Sequence, residues 1–89
     1  MLYNKHKSMN RYHTNIYVFY CQTIPRLKNN NCLRDRQGQQ YKPIHKIKQI
    51  VQEMVNNAYL VEDNQADKEI KRDKRKISNL ITYYNSKLT

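Results

Sequence analysis

Gly38 is the only glycine in this chain of 89 residues, and that narrows the folds open to it. Tight two-residue hairpin turns hold residues at positive φ, where glycine is the usual occupant. A sandwich or barrel of many short strands needs such turns repeatedly, so helices with few strands are expected. The length allows one domain at most, with one modest core and a thin stability margin.

Hydrophobic spacing supplies two helices. Ile44, Ile47, Val51, Met54, Val55 and Ala58 recur at intervals of three and four over residues 44–60, the period of one helix face. Pro43 suits the first turn, where its missing N–H is not needed. A second stripe, Ala66, Ile70, Ile77, Ile81, Tyr84 and Leu88, runs through residues 64–88 and is interrupted at Asp73-Lys74. Asn64 is the expected N-cap. Asp67 favours the helix dipole and sits at i,i+4 spacing to pair with Lys71. The acidic connector around Glu62-Asp63 lets the two helices fold back as an antiparallel hairpin.

Residues 14–21, Thr-Asn-Ile-Tyr-Val-Phe-Tyr-Cys, are rich in β-branched and aromatic side chains, which favours a strand ended by Pro25. A lone strand leaves its backbone groups unpaired. Either a second short strand near 32–41 or pairing across a homodimer must therefore accompany it. Residues 25–43, with Asn29-Asn30-Asn31 and a Gln/Arg-rich stretch, have the composition of a basic loop. Residues 1–13 hold Lys5, His6, Lys7, Arg11 and His13 without periodicity and read as a flexible basic arm. The expected fold is a small α+β domain over 14–89. Its N-terminal strand at 14–21 packs on a C-terminal helical hairpin at 44–60 and 64–88. A mainly α fold is the alternative.

Charge is the strongest pointer to a partner. Seventeen Lys and Arg against seven Asp and Glu give a net charge of +10, which attracts polyanions. The excess is uneven: residues 1–48 contain one acid, Asp35, whereas 49–67 contain Glu53, Glu62, Asp63 and Asp67 and no Lys or Arg. Asn, Lys, Ile and Tyr are all encoded by A/T-rich codons, so genome composition accounts for part of the lysine excess. It does not account for the segregation.

Two groups of cations are the candidate binding residues. Lys68, Arg72 and Arg75 recur at i, i+4 and i+7 on the side of the second helix away from its stripe, flanked by Lys71, Lys74 and Lys76. This ridge spans about 10 Å, several phosphate spacings along a strand, on a helix of major-groove width. Arg26, Lys28, Arg34 and Arg36 stand in the loop among Asn and Gln, residue types that pair with base edges. Tyr3, Tyr12 and Tyr41 lie among basic residues, placed to stack on unpaired bases. Tyr17, Phe19, Tyr20 and Tyr84 are expected to pack inside. Lys71-Arg72-Asp73-Lys74-Arg75-Lys76 also resembles a nuclear-import cluster.

Catalytic and cofactor signals are weak. There is no Gly-rich phosphate loop, HExxH or GxSxG. Cys21, Cys32, His13 and His45 lack the close pairing of zinc ligands, and Cys21 is expected to act as a small hydrophobe in the strand. No cofactor, metal or small-molecule substrate is expected. The apolar run Ile16–Cys21 is too short for a signal h-region or a membrane span, so reduced thiols and a cytoplasmic location are expected, nuclear in a eukaryotic host. The leading expectation is a non-enzymatic nucleic-acid-binding protein, a regulatory or accessory factor. A module binding an acidic partner protein comes second. A small toxin-like, metal-free ribonuclease comes third, with His13, His45 and Tyr41 as its nominees.

Overall fold

A computed structural model describes residues 2–28, 31–58 and 63–88, with side chains from residue 11 onward save that of Asp63. Helix α1 (Leu2–Thr23) leads through a 3-10 turn (Ile24–Arg26) to a short antiparallel hairpin, β1 (Leu33–Arg34) and β2 (Gln40–Tyr41). Helix α2 (Pro43–Asn56) follows, then a second 3-10 turn (Asp63–Gln65) and α3 (Ala66–Lys87). Among the described residues, three helices and one two-stranded sheet make this a small, mainly helical fold.

All three helices supply the core. Tyr12 and Ile16 come from α1, Ile47, Val51 and Val55 from α2, and Ile70, Ile77, Ile81 and Tyr84 from α3, with Ala58 beyond the end of α2. Both periodic stripes are thus buried. The antiparallel hairpin of α2 and α3 forms: Glu53 and Asn57 share a cleft with Gln65 and Glu69 at one end, and Tyr41, just before α2, meets Tyr84 near the end of α3.

Residues 14–21 are helical, not a strand. β propensity is a weak preference that packing overrides. Here a helix satisfies its own backbone groups, which a lone strand cannot. It also places Tyr12, Ile16 and Thr23 on one buried face, with Phe19 and Tyr20 packed against the core. Tyr17, expected inside, is exposed, as is Cys21. The segment expected as a flexible arm is the first half of α1 from residue 2 onward. Tyr12, expected among accessible aromatics, is buried, and His13 Nε2 lies 3.2 Å from the Val55 carbonyl oxygen.

Residues 32–41, where a second short strand was expected to pair with 14–21, form a hairpin of their own instead, because 14–21 is helical and offers no strand edge. Gly38 N–H donates to the Asp35 carbonyl and Asp35 N–H to the Gln39 carbonyl. Gly38 has φ +81°, the left-handed residue that closes a three-residue hairpin loop. Asp35 Oδ1 accepts from the Gln37 and Gln39 N–H groups at 2.9 Å. The single glycine thus closes the one β-hairpin among the described residues.

Two local expectations are corrected. Gln65, not Asn64, precedes α3, and no side chain caps it, because the chain enters through the 3-10 turn that holds Asn64. Asp67 pairs with Arg11 at 3.7 Å rather than with Lys71, because α1 passes beside the start of α3. Tyr3, Lys5, Lys7, Asn29, Asn30, Glu62 and residues 59 and 60 of the expected α2 lie outside the described residues or side chains. Among the described residues no helix is long and apolar enough to cross a membrane.

Candidate functional site

Folding deals with the two signs of charge differently. Asp73 is buried, 5% exposed, and accepts a hydrogen bond from the Tyr12 hydroxyl. Glu69 pairs with Arg72, Asp67 with Arg11, and Asp35 holds the hairpin turn. Four of the seven acids thus have internal partners. By contrast, Lys68, Lys71, Arg75 and Lys76 are exposed and have no ion pair among the described residues.

Helical geometry explains this placement. The buried positions of α3 are Ala66, Ile70, Asp73, Ile77, Ile81 and Tyr84. At 3.6 residues per turn, Lys68 and Arg75 fall within about 20° of each other and opposite that stripe. Lys71 flanks them on one side. Lys76 turns toward α2 and lines both clefts between the two helices.

Arg72 departs from the expected ridge. Its guanidinium pairs with Glu69 one turn earlier and lies 3.7 Å from Asp73 Oδ1. The i,i+3 carboxylate and the edge of the buried acid draw it sideways along the helix. Lys74 is also diverted, with its ammonium 5.6 Å from the centre of the Phe19 ring.

The loop cations gather at the other end of α3. Asn85 accepts the Lys28 N–H at 2.8 Å and donates to the Arg26 carbonyl at 3.0 Å. This clamp fixes the loop backbone at the last turns of α3 and leaves the Arg26 and Lys28 side chains exposed. Arg34 is exposed but donates to the Gly38 carbonyl at 2.8 Å, bracing the hairpin, and Arg36 is exposed in its turn. The ridge and the loop cations are thus attached to opposite halves of one helix.

A cleft of about 320 Å³ lies between the hairpin, the start of α2 and the end of α3, lined by Asp35, Tyr41, Lys42, His45, Lys46, Gln49 and Tyr84. Lys42 and Lys46 were not among the binding residues expected from sequence. Their signal was local: α2 opens with basic side chains and has no acid in its first turn, the reverse of what the helix dipole favours. Tyr41 and Tyr84 meet edge-on there, ring centres 6.4 Å apart and planes at 72°. Burial, and secondarily Tyr41, push the Tyr84 phenol up from its ordinary value.

A second cleft, of about 440 Å³ between α2 and the first half of α3, has mixed charge, with Glu53, Glu69, Arg72 and Asp73 over Tyr12. Burial first, then the Asp73 carboxylate, hold the Tyr12 phenol above the ordinary tyrosine range. Among the described residues no three His, Cys, Asp or Glu side chains converge to hold a metal ion. Of the nominated ribonuclease residues, His45 and Tyr41 share the first cleft, whereas His13 sits by Val55 near the far end of α2.

The class defined here is a small three-helix protein with a cationic outer face on α3 and a cationic, tyrosine-walled cleft at one end. Comparison with protein-family models, curated proteins and solved structures gave no match to this chain.

Proposed function

We propose that this protein binds nucleic acid without chemically altering it, through the exposed cations of α3 and the loop and hairpin beside its last turns. The observation that carries this reading is the asymmetry of pairing. Among the described residues four acids have internal partners, while Lys68, Lys71 and Arg75 face solvent, and Lys76 lines the cleft beside α2, without an ion pair. Uncompensated charge on an ordered helix raises the local concentration of a polyanion and gives counterion-release binding.

Lys68, Lys71 and Arg75 contact phosphates, with Lys76 at the edge. Arg26, Lys28, Arg34 and Arg36 extend the contact at the other end. Such a protein works where nucleic acid is found, in the cytoplasm, or in the nucleus of a eukaryotic host, as a regulatory or accessory factor.

The test is anisotropy titration of labelled duplex DNA, single-stranded DNA and RNA at 50 and 200 mM salt. With about five phosphates neutralised, affinity falls about 100- to 1,000-fold over that range. No binding at 50 mM salt, or binding indifferent to salt, overturns the proposal. An acidic protein partner that neither heparin nor random DNA displaces would then take its place.

A further inference from the structure

We infer that the cleft between the hairpin and the start of α2 seats one nucleotide of a single strand, base against Tyr41 and phosphate on Lys42, His45 and Lys46. The inference rests on the nucleic-acid reading above and adds to it a preference for unpaired strands.

Three independent observations converge on the cleft. The first is its lining: two tyrosines, two lysines and a histidine drawn from three separate elements meet around about 320 Å³, at the small end of the range for ligand pockets, about 300–1,000 Å³. The second is electrostatic. Lys42, His45 and Lys46 stand at the positive end of the α2 dipole, with no acid in the first turn and no side-chain cap. Cations there destabilise the helix end, and an anion offsets that. Asp35 is the single carboxylate among the lining residues, and its Oδ1 already accepts two backbone N–H groups of the turn.

The third observation is the ring pair. Tyr84 is buried and packs edge-on against Tyr41, which is half-buried at the cleft. A ring fixed in this way is a stacking platform that loses little freedom on binding. A base inside a duplex is stacked on its neighbours and does not reach such a wall, whereas an unpaired base does. Charge beside an aromatic wall is the arrangement of single-strand sites.

The test compares a single-stranded oligonucleotide, an abasic strand of equal length and a duplex of the same sequence, on the full chain. The intact strand binds about 5- to 150-fold tighter than the abasic strand, the range of one stacked base. Tyr41→Leu keeps apolar bulk, removes that preference and leaves duplex binding unchanged. Lys46→Gln, at an exposed position, weakens both single strands. Equal affinity of intact and abasic strands, or a Tyr41→Leu chain with an intact thermal transition and undiminished preference, overturns the inference. In either case salt-sensitive binding of any strand or duplex still upholds the broader reading, and no binding to any of them at 50 mM salt removes both.

Discussion

The Tyr12 hydroxyl donates to the Asp73 carboxylate across the α1–α3 interface, joining residues 61 positions apart. Asp73 interrupts the apolar stripe of α3, yet it is buried, and Tyr12 is only 1% exposed. A buried carboxylate without a donor is destabilising, so the two residues act as one unit. Tyr12→Phe leaves Asp73 with only Arg72 beside it and lowers stability by about 1–3 kcal/mol. The midpoint of thermal unfolding drops by about 4–8 °C per kcal/mol. Combining Tyr12→Phe with Asp73→Leu removes both polar groups, and the double variant loses less than the sum of the single losses.

High pH weakens the fold. Burial raises Tyr12, Tyr20 and Tyr84 above their ordinary values, with Asp73 adding to the shift of Tyr12. In the unfolded chain these phenols titrate near about 10. Above that pH the unfolded chain releases protons that the folded chain retains, so rising pH favours unfolding. Urea denaturation across pH 8–11 shows constant stability up to about pH 10 and a decline beyond it. Tyr12→Phe makes that decline shallower.

Residues 16 and 18 report the conformation of α1. A strand buries them alike, because alternate side chains share a face. In the helix Ile16 is fully buried and Val18 is 48% exposed. Ile16→Ala therefore lowers stability by about 2–5 kcal/mol, whereas Val18→Ala changes it by under about 0.5 kcal/mol. Chemical denaturation of the two variants measures the difference directly.

The hairpin depends on Gly38. An added Cβ meets nothing within 4 Å, so space is not the constraint, but φ is +81°. Gly38→Ala lowers stability by about 1–2 kcal/mol through the left-handed backbone alone. A replacement of similar size at Gln37, which has no such requirement, is close to neutral by the same denaturation assay.

Sequence periodicity carried α2 and α3, because Ile47, Val51 and Val55 and then Ile70, Ile77 and Ile81 repeat at helical spacing. It did not carry the hairpin: Gly38 limits the number of strands, but β1 and β2 pair with each other and not with residues 14–21. It misled in α1, where Ile16-Tyr17-Val18-Phe19-Tyr20 has strand-like composition. The spacing of Tyr12, Ile16, Phe19 and Thr23 is helical, but two of those residues are polar enough to hide the pattern. On α3 the exposure of Lys68 and Arg75 was legible because both stand opposite the apolar stripe. The diversion of Arg72 to Glu69 and the meeting of Tyr41, Lys46 and Tyr84 were not. Both depend on tertiary placement, across the α2–α3 packing and along the crowded side of α3.

The salt dependence of duplex binding in single-cation variants tests the central claim most directly. If Lys68 and Arg75 contact phosphates, Lys68→Gln and Arg75→Gln each reduce the slope of log affinity against log salt by about 1. Arg72→Gln, which removes a guanidinium already paired with Glu69, leaves the slope within error of the parent chain. Equal slopes for all three variants and the parent, or a loss carried by Arg72 alone, would contradict the account.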